Sequence, residues 1–409
     1  MKILAVIRER PGIPLLVCVT VLVVAAGIAG RPAPEAAAPR RPASDGEVLE
    51  RLPRGRAGAS PRAQELARLT DELRRAPRDL AAALRVARMN IEESRARADP
   101  RPLGYAQAAL APWWHEATPP PSVLVLRATI RQARHDFVGA LADLDQAVAR
   151  EPGDPQAWLT RSVVLSVLAR HADAADSCAP LARLATALAY KACAARIWGL
   201  TGQATSAHRS LAGVLAAAPA SPPERAWAVS VLGELAAWSG DARAAEAHFK
   251  EALSLDPGDD YARGAYADLL LDAGRPHEAM ALLRDHARTD GLLLRLALAA
   301  SAAGSPDAGR YEKILRAHFA AGRLRGDALH DREEARFELG LGKNPGRALE
   351  LAITNWRAQR EPWDARVMLE AGVAAGRPEA ARPALAWLAD SGFEEPTIRR
   401  LGRAIEGLP

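Results

Sequence analysis

The strongest constraint on the fold is a regular spacing of glycine residues along the second half of the chain. The regularly spaced residues are Gly202, Gly240, Gly274, Gly304, Gly342 and Gly376. Successive members are 38, 34, 30, 38 and 34 residues apart. A period near 34 residues that persists over so much chain is typical of stacked supersecondary units, not of an irregular globular domain.

The segment Trp227–Pro257 shows what each unit contains. Gly240 can adopt the left-handed conformation that ends a helix, and Asp241 can accept hydrogen bonds from the free N–H groups of the next helix. Gly233 lacks a side chain, so the two helices can approach closely, and Phe249 is placed to fill the space between them. The segment therefore predicts a pair of antiparallel helices joined by a tight turn.

The composition agrees with helices throughout. Hydrophobic residues make up 49% of the chain, but aromatic residues only 5%, and alanine supplies much of the difference. Sheets are enriched in β-branched and aromatic residues, whereas alanine has the highest helix propensity. We therefore expect an all-α fold in which helices pack through small side chains.

At these positions the sequence resembles the tetratricopeptide repeat family. The matching residues of the clearest unit are Trp227, Leu232, Gly233, Ala245, Phe249, Ala252 and Pro257. The resemblance covers residues 78–393 in about eight or nine units, and it is best at 121–154 and 226–259. It implies a right-handed α-solenoid of antiparallel helix pairs. It also implies a concave face, lined by the first helix of each pair, that binds an extended peptide or a partner helix.

Two blocks of sequence are more specific than the repeat itself. They are Leu103–Leu110, which reads LGYAQAAL, and Asn355–Pro362, which reads NWRAQREP. Both are similar to segments of an envelope-linked bacterial group of tetratricopeptide repeat proteins. No function follows from that similarity.

The N-terminus has the layout of a targeting segment. Lys2, Arg8 and Arg10 precede a charge-free apolar run from Ile13 to Gly30. As a helix this run would span roughly 27 Å, enough for a thin bilayer. The small residues in Gly27–Ala29 are also compatible with signal peptidase cleavage. The run is therefore either an uncleaved inner-membrane anchor, formed by one apolar helix of residues 13–30, or a cleaved signal peptide.

The predicted domain organisation follows from these features. Residues 1–30 form the signal peptide or transmembrane anchor, and residues 31–60 form a disordered tether rich in Pro, Ala and Arg, because they contain too few large apolar residues for a core. Residues 61–409 form the helical repeat domain. This order predicts a cell-envelope protein whose body lies in the periplasm, either membrane-anchored or released by cleavage.

Charge and cysteine content limit the partners. The 54 Lys and Arg residues are interleaved with 49 Asp and Glu residues, giving a net charge of +5, so no nucleic-acid partner is expected. Cys178 and Cys193 are predicted on neighbouring helices. Two buried thiols are favoured over a disulfide between them, although the sequence leaves both possible.

No catalytic, cofactor or metal site is expected from the motifs. His277-Glu278 lacks the second histidine of a zinc-binding HExxH sequence, and Gly340–Lys343 lacks the Ser or Thr that follows the lysine of a phosphate loop. A helix-ending glycine explains the second segment better. The candidate partner-binding residues lie instead at predicted concave positions: Arg196, Trp227, Glu234, Trp238 and Tyr261. The three aromatic residues are predicted to form a binding patch, although some of them could pack between helices.

The sequence thus favours a non-enzymatic scaffold that binds a protein or peptide partner in the bacterial envelope. Two alternatives remain. One is a helical-repeat enzyme with an unrecognised active site. The other is a cytoplasmic peptide-sensing regulator, which requires the apolar N-terminal run to be a core helix.

Overall fold

A computed structural model describes residues 60–97, 99–217, 220–325 and 331–407, and all of the regular structure in those ranges is helical. The predicted N-terminal apolar helix, the tether and Cys18 lie outside the described residues. Within the described ranges, no helix combines the length and the apolar character needed to cross a membrane.

The helices of the first half follow one another with short connections. They are α1 (Pro61–Arg75), α2 (Leu80–Arg97), α3 (Arg101–Ala109), α4 (Ala111–Trp114), α5 (Pro121–Ala133), α6 (Phe137–Arg150), α7 (Pro155–Val167), α8 (His171–Cys178), α9 (Leu181–Leu184), α10 (Ala187–Leu200) and α11 (Ala204–Ala217).

The second half continues in the same way. Its helices are α12 (Pro222–Trp238), α13 (Ala242–Leu255), α14 (Asp260–Asp272), α15 (Pro276–Leu283), α16 (Asp290–Ala302), α17 (Ala308–Arg325), α18 (Asp331–Phe337), α19 (Pro345–Ala358), α20 (Pro362–Ala374), α21 (Arg382–Ser391) and α22 (Pro396–Glu406). A π-helical turn, Glu338–Gly342, extends α18, and a 3-10 turn, Pro378–Ala381, precedes α21.

Consecutive helices pack as hairpins, and the described residues contain nine such pairs, from α2–α3 to α20–α21. The pair α12–α13 confirms the predicted role of each key residue. Gly240 has a φ of 85°, and the Asp241 carboxylate accepts from the Ala244 N–H at 3.0 Å. A Cβ on Gly233 would lie 2.6 Å from the Phe249 ring, so the glycine is required for the close approach.

The left-handed residue between paired helices is not always a glycine. Five of the six repeated glycines have a positive φ. The exception is Gly342, because the next residue, Lys343, adopts the left-handed conformation there with a φ of 54°. The π-helical turn adds a residue and moves the left-handed position one place along the chain. The expectation that a glycine ends the helix in segment 340–343 is therefore wrong. His135 and Ala169 likewise adopt the left-handed conformation in two earlier turns.

The C-terminal helices fold back onto the middle of the array. One apolar core contains residues of α5–α8 and α10–α12 together with residues of α18–α22. Phe393, between α21 and α22, is fully buried, and its ring lies 5.4 Å from that of Trp238. The Arg360 N–H donates to the Val167 carbonyl at 2.8 Å, and the Ala204 N–H donates to Glu394 at 3.1 Å.

Cys178 and Cys193 form a disulfide. Both residues are buried, and their Cα atoms are 5.8 Å apart because α8 and α10 pack side by side. The sequence interpretation that favoured two buried thiols is therefore wrong. Sequence spacing alone could not show that the two side chains face each other across the helix contact.

Replacing Lys343 by glycine should stabilise the protein by about 0.5–1 kcal/mol. A left-handed non-glycine residue costs roughly 1–2 kcal/mol, and the extra freedom of glycine in the unfolded chain offsets part of the gain. Urea denaturation measures the difference. Lys343→Ala is the matched control, because it removes the exposed side chain and keeps the Cβ. Equal midpoints for the glycine and alanine variants would contradict this explanation.

Reducing the disulfide should lower the free energy of unfolding by about 3 kcal/mol, the value for a bridge that closes a loop of 15 residues. Urea midpoints with and without reductant measure the loss, and Cys178→Ala with Cys193→Ala should reproduce it. Thiol titration of the denatured, unreduced protein should find only the thiol of Cys18 where residues 1–30 are retained, and no thiol where they are cleaved. Two further free thiols in either form would contradict the bridge.

Candidate functional site

The first helices of the pairs and the C-terminal helices together line two cavities. The inner cavity, of about 450 Å³, lies between α12, α14, α16, α20 and α22. The outer groove, of about 670 Å³, runs along α7, α10 and α12.

A group of charged and polar side chains separates the two cavities and lines both of them. This central network consists of Arg196, Glu234, Tyr261, Arg332 and Glu361. Arg196 contacts Glu234 at 3.4 Å and Glu361 at 3.6 Å. Arg332 contacts the other oxygen of Glu361 at 3.5 Å, and the Tyr261 hydroxyl donates to Glu234. The network thus joins α10, α12 and α14 to the C-terminal part of the chain.

Burial and pairing act against each other in the central network. Burial raises the pKa of Glu234, and the nearby Arg196 only partly counteracts this effect. For Arg196, burial alone would lower the pKa, but Glu234, Tyr261 and Glu361 together raise it above its ordinary value. The guanidinium therefore stays charged. A ligand that contacts the central network therefore meets polar groups that are already hydrogen-bonded and whose charges partly neutralise one another.

The sequence block Asn355–Pro362 forms the C-terminal side of this network. The amide groups of Asn355 and Gln359 both donate to one oxygen of Asp364, at 2.8 and 3.1 Å. The other oxygen accepts from the Glu361 N–H at 2.7 Å, which caps the start of α20. Burial raises the pKa of Asp364 to about 6, although Arg332 opposes the shift. The block thus orients Glu361 toward Arg196.

Arginine–carboxylate pairs also line the inner cavity. The buried Asp268 carboxylate accepts from Arg295 at 2.6 Å and from Arg336 at 2.9 Å. Burial alone would raise the pKa of Asp268, but these two guanidinium groups lower it. The guanidinium carbons of Arg336 and Arg366 lie 3.9 and 4.4 Å from the ring centre of Trp363. Every one of these groups already has a partner within the chain.

The outer groove has an apolar wall. Its apolar residues are Phe137, Leu159, Val163, Val167, Ile197, Trp227 and Val231. Val163 is 36% exposed, and Tyr261, at the end of the groove, is 59% exposed. Gln132, His135 and Ser230 add polar groups along the edges. The groove therefore offers an apolar strip with hydrogen-bonding groups at its margins.

The structure places the five candidate residues in three situations. Arg196, Glu234 and Tyr261 come together in the central network. Trp227 is half-buried in the wall of the outer groove. Trp238 is only 8% exposed, faces the inner cavity, and packs against Phe393. The two tryptophans thus belong to different cavities, and Tyr261 is the one aromatic candidate that lines both.

Sequence reasoning missed the residues that the C-terminal helices bring to the site. These residues are Arg332, Glu361, Trp363 and Arg366. The repeat pattern gives no indication of the fold-back, because the register of each unit fixes only its contacts with adjacent units. The block Asn355–Pro362 was the available signal, since it departs from the repeat consensus and contains the glutamate of the network.

The chemistry of the two cavities suits binding. Within the described ranges, no group of three or more His, Cys, Asp or Glu residues is arranged to hold a metal ion. The carboxylates of the central network and of Asp268 are engaged by arginines. The remaining open surface is aromatic, aliphatic and amide-like, which can receive a peptide or a helix face.

Comparison with known proteins agrees with the helix pairs. A tetratricopeptide repeat family model matches residues 236–291, which span the end of α12, α13, α14, α15 and the start of α16. No curated protein sequence matches the chain.

Several solved structures of helical-repeat proteins are similar at low identity. The type IV pilus biogenesis factor PilW is 21% identical, with 49% of this chain and 94% of that chain covered and a TM-score of 0.39. The quorum sensor NprR of B. thuringiensis is 14% identical, with 81% and 94% covered and a TM-score of 0.42. A human IFIT1 dimer with m7Gppp-AAAA is 12% identical, with 84% and 85% covered and a TM-score of 0.46. The sequence match shows that residues 236–291 are similar to tetratricopeptide repeats, and the paired helices of the described residues agree with that similarity.

Proposed function

We propose that this protein is a non-enzymatic scaffold of the bacterial cell envelope whose outer groove binds an extended peptide or a helix of a partner protein. The observation that carries the proposal is the open apolar strip beside the central network. Tetratricopeptide repeats form scaffolds for protein–protein interaction, and the inner face of this array is where such a partner would be held.

The fold-back of the C-terminal helices determines which part of the inner face is used. Trp238 is covered by Phe393, so it is not free to anchor a partner. Trp227 and Tyr261 keep accessible surface in the outer groove and are the aromatic anchors in this proposal. Aromatic residues set in such a depression supply much of the energy at protein interfaces. Arg196 and Glu234 hold Tyr261 in place and offer polar contacts at the end of the groove.

The disulfide supports the proposed location. Structural disulfides form and persist in oxidising compartments such as the periplasm and are rare in the cytosol. The Cys178–Cys193 bridge is buried beside the outer groove, with Cys193 in its lining. The basic and apolar N-terminal segments provide a route of export, either as an anchor or as a signal peptide. These two independent features favour an envelope protein over a cytoplasmic regulator.

Truncating the two anchors should remove the partner. Because loss of an interface hot spot costs about 2 kcal/mol or more, roughly a 30-fold loss in affinity, Trp227→Ala with Tyr261→Ala should abolish specific capture. The measurement is quantitative mass spectrometry of proteins recovered with the full chain from membrane extracts. Tyr261→Phe is the matched control that retains the ring, and Tyr105→Ala changes an exposed tyrosine away from the groove.

The two controls should recover the same partners as the wild type. Thermal unfolding of each variant shows whether the helical array is intact. Equal recovery of every captured protein by the folded double alanine variant would contradict the assignment of the outer groove.

Reporter fusions after residue 60 test the location. A periplasmic body predicts an active alkaline phosphatase fusion and an inactive β-galactosidase fusion at that position, because the former enzyme needs export and the latter needs the cytoplasm. The reverse pattern would overturn the envelope proposal and favour the cytoplasmic regulator. Deletion of residues 1–30 is the control, since it should abolish the phosphatase activity.

A further inference from the structure

Two histidines of adjacent repeats meet on the side of the array away from the inner cavity and the outer groove. His208 lies in α11 and His248 in α13, the second helices of their pairs, and neither residue lines either cavity. Their Nε2 atoms are 3.0 Å apart, and the ring centres are 5.1 Å apart. Both residues are half-buried, so solvent still reaches the pair.

From this geometry we infer that His208 and His248 form a binding site for one divalent transition-metal ion. An imidazole binds such ions at about 2.0–2.1 Å through a ring nitrogen, so an ion held by both Nε2 atoms at their present separation would have an N–metal–N angle of about 94°. The hydrogen bond now directs the two Nε2 atoms at each other, so both rings would turn about their side-chain torsions to direct their lone pairs at the ion.

The angle selects among metals. About 94° matches two neighbouring positions of a square-planar or octahedral ion and is too small for a regular tetrahedron. Cu²⁺ and Ni²⁺ accept such neighbouring positions, whereas Zn²⁺ in proteins is usually tetrahedral. The order of affinities among divalent ions also places Cu²⁺ first. The site should therefore prefer Cu²⁺, then Ni²⁺, then Zn²⁺, with water in the remaining positions.

The surroundings of the pair favour a cation. Burial lowers the pKa of both imidazoles, which favours the neutral rings that bind an ion through a lone pair. Without metal, one ring donates its Nε2 proton to the other; when an ion binds both Nε2 atoms, that proton moves to Nδ1 of the same ring, so both imidazoles stay neutral. Asp241 acts electrostatically on both histidines and Glu251 on His248, and these carboxylates add negative potential around the site.

The pair could not be found from a motif. The two residues are 40 positions apart, and known metal signatures place their ligands much closer in sequence. They meet because α11 and α13 are the second helices of the consecutive pairs α10–α11 and α12–α13. A bound ion would connect these helices directly, on the opposite side of the units that carry Arg196 and Trp227.

Calorimetric titration of the full chain with Cu²⁺, Ni²⁺ and Zn²⁺ tests the inference. Removing a residue that only orients a metal-ligating side chain weakens metal binding by about 10- to 100-fold. Removing a metal-ligating histidine itself should therefore weaken metal binding at least about tenfold. His208→Gln and His248→Gln should each show that loss for Cu²⁺. His277→Gln, which changes an exposed histidine of α15, should bind as the wild type does. The thermal midpoint of the wild type should also rise with Cu²⁺ concentration.

Electron paramagnetic resonance of the wild-type chain with one equivalent of Cu²⁺ gives a readout that does not depend on a variant. The expected spectrum shows hyperfine coupling to two imidazole nitrogens. Unchanged Cu²⁺ affinity in both folded glutamine variants, or a spectrum without nitrogen coupling, would overturn the inference.

Discussion

Buried carboxylates of this array each need a cationic partner, and the chain takes that partner from another helix. Asp143 of α6 is held by Arg127 and Arg131 of α5. Asp268 of α14 is held by arginines of α16 and α18, and Glu234 of α12 by an arginine of α10. An isolated buried charge is very costly, so these pairs can form only when the correct helices have docked. The charges thus select one arrangement of the stack.

The same requirement explains why the C-terminal helices return to the middle of the chain. Apolar contact through Phe393 supplies much of the driving force, but it is not directional. The Arg196–Glu361 contact and the hydrogen bond from Arg360 to Val167 add direction and register. Apolar burial and polar pairing together divide the inner face into the inner cavity and the outer groove.

Local features of this fold are predictable from sequence, and distant ones are not. The turn at Gly240, the cap at Asp241 and the packing of Gly233 on Phe249 depend on residues close in the chain, and each follows from steric or hydrogen-bonding rules. The left-handed Lys343 depends on an added π-helical residue, which no propensity indicates. The candidate site could be predicted from the sequence only in part. Arg196, Glu234 and Tyr261 come from consecutive pairs and could be placed on one face, whereas Glu361 arrives from over 100 residues away.

The contact between Gly202 and Gly392 has a consequence for how the array behaves as a whole. In an open solenoid each unit touches only its neighbours, so the ends fray and unfolding can spread one unit at a time. Here a Cβ at Gly202 would lie 2.7 Å from the Gly392 carbonyl oxygen. The turn between α21 and α22 therefore packs directly against the turn after α10. The units between residues 202 and 392 are thereby joined into a loop. The array cannot extend or twist along its length without first breaking that contact. We therefore expect the helix pairs inside the loop to unfold together.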